Sequence, residues 1–219
     1  MGLMVPFLKK WMKPSFNTLN YMRMKKGLLS LLLVVFGFTI QAQTLRESVI
    51  IETDIFKVEY NEILEQPMWV EYIVQCPNGD ADRHGMDFYE VDGVHTSDDD
   101  DYSKNVWDKG HMAPAAAFNC DKETLKKTFS YLNSALQHES LNRGIWNRLE
   151  GFERNLGNFY EVSVRIEVLF EGNCEVLPSG ATVPSGFRKI IKWDGREEVF
   201  LFPNANTKGT DWQDYHVVK

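Results

Sequence analysis

Apolar and polar residues alternate along two stretches of the chain, residues 56–60 and 69–74, with Gln66 and Pro67 between them. Successive side chains of a β-strand point to opposite faces, so this alternation is typical of a strand with one buried face. We therefore predict an antiparallel pair of strands in this part of the chain.

A spacing of three and four residues replaces the alternation after Ser140. The apolar side chains that follow this spacing are Leu141, Ile145, Trp146, Leu149 and Phe152. Such a spacing places them on one side of a helix, which we predict over residues 140–155. Positions four apart share a helix face, so one face would carry Asn142, Trp146, Glu150 and Arg154.

Shorter patterns complete a predicted α+β fold with more sheet than helix. Asp121 can cap a helix over residues 122–128, because its carboxylate can accept a hydrogen bond from the first helical turn. Further strands are predicted at residues 105–107, 129–132, 159–170, 187–193 and 198–202. The first of these would deliver His111 at its end, and the second would carry Asn133.

Residues 1–42 are predicted not to belong to the folded domain. Two lysines precede an uncharged apolar run at residues 28–40, and Ala42 provides a small residue for cleavage. This layout is typical of a secretory signal peptide. Signal peptides begin close to their charges, so we take Met22 or Met24 as the true start and the residues before it as a gene-model extension.

The predicted domain therefore comprises residues 43–219 of a secreted or periplasmic protein that is cleaved after Ala42. No stable membrane association is expected after cleavage, because the apolar run has about 13 residues and a helix needs about 20 to span a bilayer. The alternative is an uncleaved signal anchor at residues 28–40, which would tether the protein to a membrane.

Composition indicates one core and an acidic domain. The chain of 219 residues is 43% hydrophobic, which is enough for one buried core. Its formal net charge is −7, but residues 1–42 hold six basic and no acidic side chains; without them 18 basic and 31 acidic side chains remain, a net charge of −13. An acidic domain is not typical of nucleic-acid binding, unless a metal ion and a local basic cluster supply the attraction.

Export permits disulfides, and the chain has three cysteines, Cys76, Cys120 and Cys174. At most one internal bridge can form, and the spacing does not define its members. We choose Cys120 with Cys174, and one thiol remains. No Cys-x-x-Cys pair is present, which argues against a structural zinc site or a redox dithiol.

The acidic run at residues 98–101 is a candidate calcium site. A calcium-binding loop interleaves its ligands with spacers and a glycine, and this run has neither. We therefore predict a solvated loop.

Four residues with catalytic potential, one histidine, two asparagines and one glutamate, fall within about forty residues. His111 follows a glycine and shortly precedes a proline, a constrained turn that favours a catalytic base over a core histidine. Taken singly, Asn133 would be a turn residue, Asn142 a helix N-cap, and Glu150 half of a surface pair with Arg154. Together they can activate a water molecule and hold a hard metal ion, which suits hydrolysis of a phosphodiester.

These segments resemble the core motif of the DNA/RNA non-specific endonucleases, a family with a ββα-metal active site. The family motif is Asp-Arg-Gly-His-x-x-Pro, then Thr-Phe and a strand ending in Asn, then Asn-x-Gly-x-Trp-x-x-Leu-Glu. Its counterparts here are residues 108–114, 128–133 and 142–150, and the resemblance extends over most of residues 43–219. It implies an α+β fold in which a mixed or antiparallel sheet carries an inserted ββα-metal finger.

The resemblance also implies roles for the central residues. His111 would be the general base that deprotonates the attacking water, and Asn133 would orient it through a hydrogen bond. Asn142 would be the direct protein ligand of Mg²⁺, with Mn²⁺ also suitable, and Glu150 would hold a metal-bound water.

Three basic side chains would contact substrate phosphates by the same resemblance: Arg83, Lys109 and Arg154. Lys109 replaces the arginine of the family motif, which keeps the charge but loses bidentate geometry. Two further departures are Ala117, where the family usually has an acidic residue, and Leu136, where proline is common. None of them removes the base or the metal ligand.

The sequence thus predicts an exported, metal-dependent endonuclease that binds DNA and RNA through the phosphate backbone without sequence specificity. The alternative is a catalytically weak, secreted nucleic-acid-binding or adhesion module of the same fold. The intact set of His111, Asn133 and Asn142 favours the enzyme. The sequence leaves the oligomeric state open.

Overall fold

A computed structural model describes residues 45–217. Six strands form one antiparallel sheet in the order β1-β2-β3-β6-β7-β8, and β4 and β5 form a second, two-stranded sheet. The strands are β1 Val49–Glu52, β2 Phe56–Asn61, β3 Gln66–Ile73, β4 Trp107–His111, β5 Ser134–His138, β6 Ser163–Leu169, β7 Gly186–Trp193 and β8 Arg196–Pro203. The two α-helices are α1 Lys122–Lys127 and α2 Asn147–Gly157.

The predicted extension and signal peptide, residues 1–42, lie outside the described residues. Within residues 45–217, no helix has the length and apolar character needed to cross a membrane.

The alternation of apolar residues correctly predicts β2 and β3. Val58 and Tyr60 on β2 are buried on the same face as Val70 and Tyr72 on β3. The two strands pair antiparallel, with Val58 opposite Val70 and a register shift after Glu59. The predicted strands at residues 159–170, 187–193 and 198–202 are likewise present as β6, β7 and β8.

The buried face of the large sheet packs against Trp146 at the start of α2. Its indole ring is fully buried, with ring centroids 5.5 Å from Phe187 and 5.6 Å from Phe202. Burial of one large apolar side chain stabilises a fold by about 1.5–3 kcal/mol. This contact fixes the position of the helix that carries Glu150.

An inserted ββα finger, formed by β4, β5 and α2, lies in sequence between β3 and β6. β4 and β5 pair antiparallel, with Gly110 opposite Ala135 and His111 opposite Ser134. A Cβ atom at Gly110 would come within 2.4 Å of Gln137 on β5, so glycine permits this close pairing. The predicted α+β class with an inserted finger is confirmed, and its large sheet is antiparallel.

The strand predicted at residues 129–132 is wrong. Tyr131–Asn133 forms a 3-10 turn, and the second strand of the finger is β5, which begins at Ser134. The Ser130 hydroxyl accepts a hydrogen bond from the Leu132 amide and so competes with strand pairing. Because β5 is buried on both faces, it lacks the alternation that would have revealed it.

The continuous helix predicted over residues 140–155 is also wrong in its first part. Leu141–Trp146 is a π-helical turn, interrupted at Gly144 by non-helical angles of φ −103° and ψ −109°. The α-helix begins only at Asn147. A spacing of four residues therefore does not place Asn142 and Glu150 on one straight helix face, because a π-turn is wider than an α-helical turn.

The disulfide joins Cys76 to Cys120, so the choice of Cys120 with Cys174 is wrong. The Cys76 amide donates a hydrogen bond to the Ala117 carbonyl at 2.9 Å, which brings the end of β3 beside the segment that carries Cys120. Their Cα atoms lie 5.4 Å apart. Cys174 is the free thiol.

The acidic run is more ordered than the predicted solvated loop. Asp98 caps a 3-10 turn at Asp99–Tyr102. Asp99 and Asp100 are exposed, but Asp101 is buried and accepts a hydrogen bond from the Ala181 amide at 3.2 Å. Asp121 caps α1 as predicted, accepting a hydrogen bond from the Thr124 amide.

Candidate active site

His111 lies at the end of β4, and Asn133 fixes the turn that follows it. The Asn133 Oδ1 accepts from the Ala113 amide at 2.7 Å, while Nδ2 donates to the carbonyls of Ala113 and Thr128 at 2.8 and 2.9 Å. The expected hydrogen bond from Asn133 to the imidazole is therefore corrected. The buried amide satisfies its polar atoms with backbone groups, and it positions His111 through the turn.

The His111 ring is held among aromatic side chains as a neutral base. The rings of Phe88 and Phe129 each lie 4.9 Å from it, centroid to centroid. Burial, and next the positive charge of Arg83, lower the pKa of His111 to about 3. Its Nε2 atom is buried and has no hydrogen-bond partner in residues 45–217. The ring also lines a cavity, where a neutral imidazole can accept a proton.

Asp108 sets the orientation of the Asn142 amide. The Asn142 Nδ2 donates to Asp108 Oδ2 at 2.9 Å, and Arg143 binds the same carboxylate through two nitrogens at 2.8 and 2.5 Å. With its nitrogen fixed on Asp108, the Asn142 amide directs Oδ1 away from that carboxylate. An amide oxygen is a suitable ligand for a hard cation.

Glu150 lies one turn into α2 and is protonated more readily than an ordinary glutamate. Burial raises its pKa to about 7, Lys189 opposes that shift, and Glu153 adds to it. Behind it, Lys189 and Glu153 form a fully buried ion pair at 2.5 Å. Glu153 also accepts a hydrogen bond from the Tyr72 hydroxyl at 2.6 Å. This buried pair ties α2 to the large sheet.

A cavity of about 410 Å³ brings most of the predicted site residues together. The polar side chains that line it are Arg83, Lys109, His111, Asn142, Arg143, Asn147 and Glu150. Asn133 is buried beneath the turn, and Arg154 is not among the lining residues. The structure thus assembles five of the seven predicted side chains around one space, with a sixth supporting them.

The Lys109 ammonium is shared between the cavity and an acidic neighbour. It forms an ion pair with Asp99 and lies 5.2–5.7 Å from the ring centroids of Phe88, Tyr102 and Tyr131. Contacts of this kind hold a cation in place through the negative faces of the rings. Asp99 therefore partly neutralises the charge of Lys109.

Comparison with known proteins places this chain in a family. The model of the DNA/RNA non-specific endonucleases matches residues 38–218. The chain belongs to the DNA/RNA non-specific endonuclease family. The matched range includes every residue that lines the cavity.

Individual relatives match over shorter lengths. The chain is 37% identical to human mitochondrial endonuclease G over 86 residues, which is 38% of this chain and 29% of that protein. It is 30% identical to the mitochondrial nuclease of Saccharomyces cerevisiae over 190 residues, 70% of this chain and 57% of that protein. The matched parts are thus less than two thirds of the length of these relatives.

The fold also matches a solved structure. A crystal structure of the EndoG/EndoGI complex, which concerns EndoG inhibition, is similar with a TM-score of 0.71 and 24% identity. The match covers 80% of this chain and 82% of that one. The ββα-metal nuclease fold is therefore shared.

Sequence reasoning missed three residues at the site: Asp108, Arg143 and Asn147. Asp108 was recognised as part of the family motif but without its contact to Asn142. Arg143 occupies a variable position of the motif, between Asn142 and Gly144, so only its charge could have marked it. Asn147 lines the cavity at the start of α2. The predicted helix began at residue 140, so it gave no reason to select Asn147.

Proposed function

We propose that this protein is a metal-dependent endonuclease that hydrolyses phosphodiester bonds of DNA and RNA without sequence specificity. The observation that carries the proposal is one cavity lined by the neutral imidazole of His111 and by the Asn142 amide, whose nitrogen is fixed on Asp108. These are a base and a ligand for a hard cation. Family membership supports the same substrate class.

In this mechanism the His111 imidazole, which lines the cavity, removes a proton from the attacking water. Its low pKa keeps the ring neutral, and the rings of Phe88 and Phe129 pack against it. Asn133 maintains the position of His111 by fixing the backbone of the turn. General base catalysis of this kind contributes about 10²–10⁴-fold to a rate.

A divalent cation fits the donors of the site. Asn142 Oδ1 would hold it directly, and Glu150 would assist from α2. No group of three His, Cys, Asp or Glu side chains within residues 45–217 is arranged to hold a metal, so water would complete the coordination. Mg²⁺ prefers such a water-rich site, and Mn²⁺ accepts the same ligands. When bound, the cation stabilises negative charge on the phosphate and the leaving 3′ oxygen.

Substrate binding would depend on a few basic groups in an acidic protein. Arg83 presents its guanidinium group at the cavity, whereas Arg143 shares its charge with Asp108 and Lys109 shares its charge with Asp99. Contacts to phosphate do not depend on the base, which agrees with cleavage of both DNA and RNA at many sequences. Arg154 would act on Glu150, whose pKa it lowers, rather than on the phosphate.

We further infer that the protein is exported. The layout of residues 1–42 and the Cys76–Cys120 disulfide both suit an oxidising compartment. N-terminal sequencing of the protein recovered outside the cytoplasm should find Gln43 first. A first residue of Met22 or Met24 would instead support an uncleaved anchor.

The decisive assay incubates the purified full chain with plasmid DNA and with total RNA, in Mg²⁺ and in chelator. Cleavage of both substrates in Mg²⁺ only is expected. Binding without cleavage under all conditions would favour a nucleic-acid-binding module instead. Cleavage that survives the chelator would remove the metal from the mechanism.

A further inference from the structure

A second cavity, of about 320 Å³, lies on the other side of α2 from the active site. Phe152 lines it, whereas Glu150, two residues earlier, lines the active-site cavity. Residues two apart on an α-helix point to nearly opposite sides. We call this space the aromatic pocket; its lining includes Phe152, Trp193, Glu198, Phe200, Trp212 and His216.

The rings of the aromatic pocket meet at steep angles. Phe152 and Trp193 are inclined by 86°, and Phe200 and Trp212 by 69°, with centroids 6.0 and 5.5 Å apart. Rings that meet in this way form corners in which several negative ring faces converge on a small volume. This arrangement suits a compact cation.

The same geometry does not suit a flat nucleobase. A base held between two rings needs parallel faces about 7 Å apart, twice an ordinary contact distance. The near-parallel pair, Phe152 and Trp212, has its centroids 5.2 Å apart and stacks on itself.

Charge at the rim points to a cation as well. Glu198 binds His216 Nε2 through Oε2, and the structure shows no hydrogen bond to its Oε1 within residues 45–217. A carboxylate oxygen beside converging ring faces supplies full negative charge where the rings supply partial charge. The net charge of −13 for residues 43–219 also favours a positive ligand.

The pocket wall is held in place before any ligand binds. The turn that carries Trp212 has a capping box between Asp211 and Asp214. Arg148 on α2 donates to the Thr210 carbonyl at 3.0 Å and lies 3.6 Å from Asp211. A preorganised site loses less entropy when a ligand binds.

We propose that the aromatic pocket binds a small organic ammonium ion of the trimethylammonium type. This site is separate from the nuclease site, and the proposal does not depend on the proposed function. Choline is the probe, and its neutral isostere 3,3-dimethylbutan-1-ol has the same shape without the charge.

The test titrates the full chain with choline chloride at constant ionic strength and follows the indole N–H resonances by NMR. Saturable shifts of the Trp193 and Trp212 signals are expected. The neutral isostere should bind at least about tenfold more weakly, because a desolvated cation–π contact depends on charge. Equal binding of the isostere, or saturation by adenosine in place of choline, would overturn the proposal.

Two substitutions and a matched control localise the site. Glu198→Gln, at a half-exposed rim position, should weaken choline binding about threefold or more, and Trp212→Leu about tenfold or more. Trp69→Phe is the control, because Trp69 lies on the outer face of the sheet with the Arg165 guanidinium already 4.3 Å from its ring. Loss of binding in Trp69→Phe, or unchanged binding in Glu198→Gln, would show that choline binds elsewhere.

Discussion

The outer face of the six-stranded sheet and the ββα finger both carry many charged side chains, but they use them differently. On the sheet, Arg165 pairs with Glu71 at 2.5 Å and with Glu167 at 3.3 Å, and Arg188 pairs with Glu167 at 2.9 Å. These groups satisfy one another. In the finger, His111 Nε2 is left without a partner in the described residues.

This difference between paired and unpaired polar groups shows where the protein maintains reactive groups. Unsatisfied buried polar atoms cost free energy, so a fold tolerates them only where its other contacts hold the groups in place. In the finger that support comes from Asn133 beneath His111 and from Asp108 beside Asn142. We therefore expect substitutions in the finger to change catalysis, and substitutions in the sheet to change stability.

The largest effect should follow His111→Ala. Loss of the base should lower cleavage of plasmid DNA about 10²–10⁴-fold, while the melting temperature stays close to that of the unaltered protein. Initial rates and thermal unfolding of the two proteins provide the measurement. Activity within a few fold of the unaltered protein would remove His111 from the mechanism.

The pKa of the His111 ring should lie well below that of an ordinary histidine. An ordinary histidine gains its proton near pH 6.5, and burial lowers the pKa of His111 to about 3. The folded ring should therefore remain neutral at pH 5. NMR of the His111 ring in chelator should show no titration between pH 8 and 5, and a midpoint near 6.5 would contradict the buried environment.

The next prediction concerns the stability of the large sheet. Lys189→Met removes one partner of the fully buried pair with Glu153 and leaves the carboxylate without its cation. Breaking a buried pair in this way costs about 3–5 kcal/mol. Denaturant unfolding measures this loss, and Phe159→Ala, at a side chain that is 80% exposed, is the control that should change stability little. A loss below about 1 kcal/mol would show that the pair contributes little.

The same contrast explains what the sequence could predict. Strands β2 and β3 followed from alternation because each has one buried face, and the segments of β6, β7 and β8 were predicted as further strands. The finger was recognised through its motif, but its local structure was not. Hydrogen bonds from Ser130 and the break at Gly144 shape it, and neither leaves a periodic pattern.

The site, too, was predicted in its residues but not in its local contacts. His111, Asn142 and Glu150 were predicted from residue types in a specific order, and the structure places all three on one cavity. The contact between Asp108 and Asn142 joins residues 34 apart along the chain. Spacing cannot reveal such a contact, because it depends on how the π-turn folds against β4.

Asp108→Ala should lower activity less than His111→Ala does. The substitution removes the acceptor that orients the Asn142 amide, and a lost supporting contact at a metal site typically costs about 10–100-fold in activity or metal affinity. The Mg²⁺ concentration needed for half-maximal cleavage should rise. An unchanged Mg²⁺ requirement would show that Asn142 keeps its orientation without Asp108.

The smallest effect on stability, and the most direct comparison, comes from one arginine in each region. Arg188→Ala on the sheet and Arg143→Ala in the finger each remove a partly exposed guanidinium from its carboxylate partners. Exposed pairs of this kind contribute about 0–1 kcal/mol, so neither variant should unfold much more easily than the unaltered protein.

Activity should separate the two variants, because Arg143 lines the cavity and holds the carboxylate that orients Asn142, whereas Arg188 lies on the outer face of the sheet. We expect about a tenfold loss of cleavage for Arg143→Ala, within the range seen when a supporting contact is lost, and no loss for Arg188→Ala. Equal cleavage rates for the two variants would mean that the finger and the sheet do not differ in the way their charges are used.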